Sequence, residues 1–334
     1  MIAFAHGAGP HPNLLPERGG KFADTFLEFR TGPEVPFPPL QPIEHAMVAS
    51  LDYIEKVIDT YASATEANWS TGGREGSTIV LGPAWADDVM VTGDLHGNRR
   101  NLNLIRRLAE LDKHPKRHLV LQEVCHGGPT YPANGGCMSH TMLEDVAKMK
   151  AQYRDRVHFL LGNHELSEIT DYPIQKNKQM LNLLFRLGMQ QMYGSASDKV
   201  RESFVPFIQS CPLAVQLPGG IFISHSIPEK ADTVRFDKSL FTRSLDPMEF
   251  YDRSGVFDLV WGRDYRQENA DAFARLVRAE VLINGHEPCP EGFATPNTRQ
   301  IILDCCGDKA CYVILPVGQK GSQEEIVKRI QMLK

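Results

Sequence analysis

A short apolar run at residues 89–92 leads into a glycine-flanked turn that carries Asp94 and His96. The run is partly β-branched, which predicts a buried strand, and Gly93 and Gly97 allow the chain to bend tightly. Because Asp94 and His96 are two residues apart, extended backbone directs both side chains to the same side, where they can bind one cation. The pair alone is a weak signal, because an aspartate close to a histidine is common in loops.

Three later segments repeat this organisation, with an apolar, strand-like run that ends at residues able to bind a metal or transfer a proton. They are residues 160–165, with Asn163 and His164, residues 222–226, with His225, and residues 282–287, with His286. Ligand sites in α/β proteins form at the carboxyl ends of strands. We therefore expect the four strand ends to meet in one site.

These four segments, in this order, resemble the motifs of the calcineurin-like metallophosphoesterases, and within them the bacterial-type serine/threonine phosphoprotein phosphatase branch. Residues 93–97 and 162–165 match the first and third motifs closely, and His225 and residues 285–286 match the later histidine motifs. Residues 258–264 look like the Trp-x-Arg segment of that branch. The resemblance implies an α/β fold, a β-sandwich of two mixed sheets flanked by helices.

The resemblance also implies a site for two divalent metal ions, Mn, Fe or Zn. Asp94 and His96 would bind the first ion, and the second would be bound by Asn163, His225 and His286. Two ions about 3.5 to 4 Å apart lower the pKa of a shared water and neutralise the phosphoryl oxygens. His164 would donate a proton to the leaving alkoxide, a role that suits an imidazole.

The second motif of the family, Gly-Asp-x-x-Asp-Arg-Gly, is altered in this chain to Gln-Glu-Val-Cys-His-Gly-Gly at residues 122–128. Glu123 falls at the position of the aspartate that bridges the ions, and we predict that it fills that role. His126 replaces the aspartate that normally pairs with the catalytic histidine. Glu165 or Asp264 could orient His164 instead, or His126 could join the site as a further donor or ligand.

Gly127 replaces the phosphate-binding arginine of the family, and glycine offers no substitute for a bidentate guanidinium. We therefore expect another cation to bind the phosphoryl group. Arg263 is the leading candidate because it belongs to the Trp-x-Arg segment. Further substrate-binding candidates are Arg99, Arg100, Arg266 and His126.

The pattern along the 334 residues predicts three parts. Residues 1–78 would form an N-terminal arm, rich in glycine and proline, and a helix over residues 43–64 that packs on the core. Residues 79–318 would form the catalytic domain, with a helical insert at about residues 174–210. Residues 319–334 would form a C-terminal helix. Within the catalytic domain we predict helices at 101–111, 138–153 and 270–280, and strands at 117–121, 157–161, 213–217, 220–224, 281–283, 300–304 and 312–315.

The composition excludes several classes of protein. An apolar fraction of 42% is sufficient for a core, and a net charge of -5 gives no basic footprint for nucleic acid. No apolar run approaches the ~20 residues of a membrane span, and the N-terminus lacks the features of a signal peptide. The seven cysteines form no Cys-x-x-Cys pair, which favours a reduced, cytoplasmic protein.

The sequence therefore predicts a metal-dependent phosphatase that acts on a phosphorylated protein or a small phosphoester. A hydrolase of small phosphate esters or nucleotide polyphosphates is the first alternative. A catalytically weak protein that binds metal and phosphate is the second, because the second motif is altered. The sequence contains no signal for an oligomeric state.

Overall fold

The structure, a computed structural model, describes residues 48–251 and 253–334. The arm expected at residues 1–42 lies outside the described residues. The helix expected at 43–64 is α1 (Leu51–Trp69), which is preceded by Ser50, whose hydroxyl accepts a hydrogen bond from the Tyr53 amide at 3.3 Å. A serine in this position satisfies one of the free N–H groups of the first helical turn.

Most of the remaining helices correspond to predicted ones, but the helices at Asn163–Thr170 and Gly255–Trp261 were not predicted. The remaining helices are α2 (Arg99–Ala109), α3 (His140–Gln152), α4 (Asn163–Thr170), α5 (Leu181–Tyr193), α6 (Ser197–Ser210), α7 (Gly255–Trp261), α8 (Gln267–Val277) and α9 (Gln323–Val327). Helix α1 packs against α3 and α6 through its buried face, which includes Ile54, Val57 and Tyr61. This apolar face at helical spacing is the feature that predicted the helix.

The strands are short and mostly buried. In chain order they are β1 (Arg74–Glu75), β2 (Thr78–Val80), β3 (Asp88–Asp94), β4 (Arg117–Gln122), β5 (Val157–Phe159), β6 (Gln175–Lys176), β7 (Gln179–Met180), β8 (Ala214–Leu217), β9 (Ile221–Ser224), β10 (Val281–Asn284), β11 (Phe293–Ala294), β12 (Gln300–Leu303), β13 (Cys311–Pro316) and β14 (Gln331–Met332). They form a seven-stranded sheet in the order β1-β2-β8-β9-β10-β12-β11 and a five-stranded sheet in the order β14-β13-β3-β4-β5.

Both large sheets are mixed, as expected for the predicted fold. In the five-stranded sheet β3, β4 and β5 are parallel and β13 is antiparallel to β3, whereas in the other sheet β9 and β10 are parallel and β8 is antiparallel to β9. Aliphatic side chains from both sheets, such as Val91 and Val120 from one and Ile223 and Ile283 from the other, form one buried cluster. The two mixed sheets and their helices confirm the predicted fold class.

The carboxyl ends of β3 and of β12 meet where the two sheets approach each other. The Cys305 amide donates a hydrogen bond to the Asp94 carbonyl oxygen at 2.9 Å. At Gly93, an added Cβ would lie 1.9 Å from the carbonyl oxygen of Leu303, so only glycine allows this approach. The strand ends of both sheets are thereby brought to one edge of the sandwich.

Two predicted helices differ from the structure. Residues 175–180 form the hairpin β6–β7 rather than the start of the insert helix, because Asn177 and Lys178 adopt positive φ angles of 51° and 62°. At the C-terminus, α9 ends at Val327, and residues 331–332 pair with β13 as an added edge strand. Both segments are short, so pairing between strands outweighed an amphipathic pattern.

All seven cysteines belong to the described residues and are free thiols. Within the described ranges, no helix is both long and apolar enough to cross a membrane.

Candidate active site

Six of the predicted site residues converge at the shared edge of the two sheets. They are Asp94 and His96 at the end of β3, Glu123 after β4, Asn163 at the start of α4, His225 after β9 and His286 after β10. All are buried except His96, whose side chain is 21% exposed. The expectation that these strand ends lie together agrees with this geometry.

Glu123 stands between two groups of potential metal ligands. Its Oε1 lies 3.0 Å from His96 Nε2, and its Oε2 lies 3.1 Å from His225 Nε2. Two sets of three residues, each with ligand atoms within 4.8 Å of one another, share this carboxylate: His96, Glu123 and His164, and Asp94, Glu123 and His225. One carboxylate therefore faces both halves of the cluster.

Asn163 links the two later histidines to this arrangement. Its Oδ1 lies 2.9 Å from His225 Nε2 and 2.8 Å from His286 Nδ1. An amide oxygen and two imidazole nitrogens at these distances point to a common centre. Such donors, together with carboxylates, suit borderline divalent cations.

Several buried polar atoms of the cluster have no hydrogen-bond partner among residues 48–251 and 253–334. Asp94 Oδ2 accepts a hydrogen bond from the His286 amide at 2.7 Å, but Asp94 Oδ1 accepts none. The ring nitrogens His225 Nδ1 and His286 Nε2 also have no hydrogen-bond partner among the described residues. Because buried polar atoms are nearly always satisfied, the unpaired Asp94 oxygen and the surrounding donor set fit a divalent cation.

The electrostatics of the two carboxylates differ. Burial, and then the nearby Glu123, raise the pKa of Asp94 to about 7. Burial also opposes the charge of Glu123, but His164, His225 and His96 hold the pKa of Glu123 well below its usual value. The histidines around Glu123 thus favour its charged form, and a bound cation would favour it further.

Four non-glycine residues at the site have positive φ angles. The values are 40° for His96, 25° for Glu123, 61° for His126 and 70° for His286. Such backbone conformations cost about 1 to 3 kcal/mol each and are found where function requires a particular side-chain direction. Their concentration here is typical of a catalytic or binding site.

His164 lies beside Glu123 and presents one ring edge to the cluster. Its amide donates a hydrogen bond to Glu123 Oε2 at 3.2 Å, and its Nε2 is 3.8 Å from Glu123 Oε1. Burial lowers the pKa of the His164 imidazole well below its usual value. Its Nδ1, on the other side of the ring, lies 2.8 Å from Nδ1 of His126.

Neither carboxylate considered from the sequence contacts the His164 ring. Glu165 Oε1 accepts hydrogen bonds from the backbone amides of Val124 and Cys125, at 2.9 and 2.8 Å. Asp264 is bonded to the Arg266 guanidinium and to the Lys230 amide.

The side chain that contacts the His164 ring at its Nδ1 is His126, which the sequence suggested only as a further donor or ligand of the site. The Nε2 atom of His126 lies 2.6 Å from Glu168 Oε1, and both side chains are fully buried. Because both ring nitrogens are used inside the protein, this geometry favours an internal role for His126 rather than the expected contact with substrate. Sequence reasoning missed Glu168, although its position four residues after His164 on one helix is a recognisable signal.

The candidate arginines are distributed unequally around the cluster. Arg263 Nη1 donates to the His286 carbonyl oxygen at 3.3 Å and forms an ion pair with Glu287. By contrast, Arg99 is bonded to Asp145 and Thr141, Arg266 is bonded to Asp232 and Asp264, and the exposed Arg100 lies 3.9 Å from Asp308. Arg263 is thus the arginine of this set that contacts a residue of the cluster.

Gly127 fills a position where the backbone leaves no room for a side chain. Its φ is 124°, and an added Cβ would lie 2.5 Å from the carbonyl oxygen of His96. The loop after β4 therefore packs directly on the turn after β3. The backbone at His96 occupies the space that a side chain at position 127 would need.

Comparisons with known proteins agree with this geometry. The family model described as calcineurin-like phosphoesterase matches residues 88–292, more than half of the chain. Among solved structures, a protein serine/threonine phosphatase from Saccharomyces cerevisiae with similarity to human phosphatase PP5 matches with a TM-score of 0.61 at 16% identity, covering 83% of this chain and 88% of that one.

A cold-active protein-tyrosine phosphatase of a psychrophile, Shewanella sp., matches less closely. Its TM-score is 0.49 at 13% identity, with 75% of this chain and 79% of that chain covered. None of the curated proteins compared with the sequence matches it. At 16% identity, the match to the yeast phosphatase establishes the fold alone.

Proposed function

Because this chain belongs to the calcineurin-like phosphoesterase family, a family of metal-dependent phosphoesterases, we propose that it is a phosphatase that hydrolyses phosphomonoesters with two divalent ions. The observation that carries the proposal is the place of Glu123 between His96 on one side and His225 on the other. A carboxylate with one oxygen directed to each half of a ligand cluster suits a bridging ligand. Glu123 would take the part of the family's bridging aspartate.

By the resemblance, Asp94 and His96 would hold one ion, and Asn163, His225 and His286 would hold the other. The contacts of Asn163 with His225 and His286 support the second set, whereas Asp94 lies closer to His225 than the resemblance implies, with Asp94 Oδ1 3.7 Å from His225 Nδ1. When bound, ions of this kind lower the pKa of a coordinated water and neutralise charge on the phosphoryl oxygens. We propose Mn, Fe or Zn, because mixed oxygen and imidazole ligands accept each of them.

His164 would act as the general acid. Its Nε2 is directed toward Glu123, and its remaining ring nitrogen is already bonded to His126. For this step His164 would be the imidazolium, with one proton on Nδ1 toward His126 and a second on Nε2, a charge that a bound phosphoryl dianion favours. The Nε2 proton would pass to the leaving alkoxide, and His164 would be left neutral with its Nδ1 proton. Arg263, at the His286 carbonyl, would bind the phosphoryl oxygens after its release from Glu287.

The first test combines metal content with hydrolysis of p-nitrophenyl phosphate on the same preparation. The purified protein should bind two divalent ions per chain and turn the substrate over. Glu123→Gln should reduce both. The matched control is Glu144→Gln, because Glu144 is an equally buried carboxylate that bonds Tyr53 and Tyr193 outside the cluster.

Each other outcome selects an alternative. One ion or none, without turnover after Mn supplementation, would favour a weak protein that binds metal and phosphate. Given turnover, a comparison of phosphoserine and phosphothreonine peptides with nucleotide polyphosphates separates a protein phosphatase from a hydrolase of small phosphoesters. We propose the phosphorylated protein as substrate, on the resemblance to the serine/threonine branch alone.

A further inference from the structure

Three buried side chains behind the cluster form a continuous hydrogen-bonded row. Glu168 Oε1 lies 2.6 Å from His126 Nε2, and His126 Nδ1 lies 2.8 Å from His164 Nδ1. The side chains of Glu168 and His126 are fully buried, and that of His164 is 14% exposed. The row therefore runs from the interior outward and ends at the proposed general acid.

The hydrogen-bonding capacity of the three groups allows one consistent set of proton positions. If Glu168 acts as a carboxylate, it only accepts, and His126 Nε2 carries the proton between them. With that single proton on its ring, His126 has a lone pair on Nδ1, which accepts from a proton on Nδ1 of His164. His164 is thereby held in one orientation, with Nε2 directed toward Glu123.

Neighbouring groups hold the far end of the row in place. The Asn182 side-chain amide donates to Glu168 Oε1 at 3.1 Å and to the Ser167 hydroxyl at 2.7 Å. Phe185 packs edge-on against the His126 ring, with centroids 5.7 Å apart. Since these contacts are buried, the carboxylate and the ring have little freedom to turn.

The local backbone explains why the row forms. His164 and Glu168 are four residues apart on α4, so both side chains lie on one face of that helix. His126 follows β4 with a φ of 61°, and its ring bonds to both of them. The two hydrogen bonds of the His126 ring thus help to offset the cost of its strained backbone conformation.

We propose that Glu168 and His126 are positioning residues that set the tautomer and direction of His164. The inference rests on the proposed function, in which His164 is the general acid. In the family pattern an aspartate stands at the position of His126 and pairs with the catalytic histidine directly. Here an imidazole is interposed, and the carboxylate is supplied from α4 instead.

Aspartate can replace histidine at position 126 because the two side chains place a hydrogen-bonding atom at the same distance from the backbone. The Oδ1 atom of an aspartate and the Nδ1 atom of a histidine are both two bonds from Cβ. Aspartate at position 126 can therefore accept the His164 proton where His126 Nδ1 now accepts it. Glutamine at position 168 would avoid a second buried negative charge beside it.

The experiment compares Glu168→Gln, His126→Ala and the double variant His126→Asp/Glu168→Gln with the wild type. Glutamine both donates and accepts, so it no longer dictates the proton on His126. Glu168→Gln and His126→Ala should each lower kcat about 10- to 100-fold, with KM and metal content within about twofold. The double variant should recover about tenfold or more of the kcat lost by Glu168→Gln.

The matched control is a second buried histidine pair, on β4 and β5 and remote from the cluster. His118 Nδ1 lies 2.9 Å from His158 Nε2, and both residues are buried. His158→Gln breaks this pair and should leave kcat unchanged. It measures the cost of losing a buried histidine pair when the pair has no part in catalysis.

A second measurement is independent of turnover. In protein labelled with ¹⁵N-histidine, the ring nitrogen shifts report which nitrogen of each imidazole is protonated. The wild type should show the His126 ring protonated at Nε2 and the His164 ring protonated at Nδ1, and Glu168→Gln should disturb both. This result does not depend on the phosphatase proposal, so a failure of turnover and a failure of the row are distinguishable.

Three results would overturn the inference. The first is an unchanged kcat in Glu168→Gln. The second is a loss of kcat with an equal loss of bound metal and no recovery in the double variant, which would mean a structural role only. The third is a His126 ring protonated at Nδ1 in the wild type.

Discussion

Arg263 and Glu287 form an ion pair beside the cluster, and the same Arg263 nitrogen donates to the His286 carbonyl oxygen at 3.3 Å. The guanidinium is therefore held next to a proposed metal ligand while its charge is shared with a carboxylate. Both side chains are partly exposed, at 44% and 37%, so the pair is weak and a phosphoryl dianion can compete for the arginine.

Loss of this arginine should weaken substrate binding. Arg263→Ala should lower kcat/KM by roughly tenfold or more, since a hydrogen bond to a charged group contributes about 1.5 to 3 kcal/mol. Arg266→Ala is the control, because Arg266 is bonded to Asp232 and Asp264 instead. Steady-state kinetics with p-nitrophenyl phosphate measures both, and equal effects would argue against Arg263 as the phosphate ligand.

Glu287 should compete with substrate for Arg263. Glu287→Gln removes the competing charge, and we expect KM to fall about two- to fivefold, in line with an exposed ion pair that is worth up to about 1 kcal/mol. Arg263→Ala/Glu287→Gln should show no such gain over Arg263→Ala. A lower KM that persists in the double variant would mean that Glu287 repels substrate without involving Arg263.

Restoring the family's arginine at position 127 should fail. Gly127→Arg places a Cβ 2.5 Å from the His96 carbonyl oxygen at a φ of 124°, and we expect it to destabilise the fold by about 1 to 3 kcal/mol. Gly82→Arg is the matched control, because nothing lies within 4 Å of an added Cβ there. Urea unfolding compares the two, and a Gly127→Arg protein that is as stable as the control would contradict the packing described here.

The buried Lys150 should make stability depend on pH. Its ammonium group donates to the Thr71 hydroxyl at 2.6 Å and to the Arg154 carbonyl, and burial lowers the pKa of Lys150 to about 7. Between pH 7 and about 10.5 the unfolded chain therefore binds more protons at this residue, so its contribution to the free energy of unfolding rises with pH.

Lys150→Met should reduce that slope by up to about 1.4 kcal/mol per pH unit, measured by urea unfolding from pH 7 to 10. Lys148→Met is the control, because Lys148 lies on the same helix with a side chain that is 47% exposed. Identical slopes for the wild type and Lys150→Met would show that the lysine titrates normally in the folded protein.

Many of the strands, and the polar residues that follow them, were accessible to sequence reasoning for a local reason. Each apolar run, such as residues 89–92, had to be buried, and each was followed at once by its polar residue. The carboxyl ends of neighbouring parallel strands share an edge, so adjacency in sequence predicted adjacency in space. His225 and His286, which follow the parallel strands β9 and β10, come together in this way. Asp94 belongs to the other sheet and reaches them where the two sheets meet.

The partner of His164 could not be predicted by the same reasoning. Glu168 is separated from His126 by 42 positions in the chain, and Glu165 looked equally suitable from its place beside His164. On a helix, successive side chains leave about 100° apart, so Glu165 turned to the amides of Val124 and Cys125. Helix geometry therefore directs Glu168, and not Glu165, toward His126.

The sequence by itself indicated the family through short motifs, and the two mixed sheets followed from that resemblance. It also indicated the residues at the strand ends, because these depend on local patterns. The tertiary structure alone decided which of several like-charged side chains serves which partner. It assigned Glu168 to His126, Arg266 to Asp232 and Asp264, and Arg263 to the edge of the site. Pairing of this kind depends on distances between distant segments, and only packing of the folded chain fixes those distances.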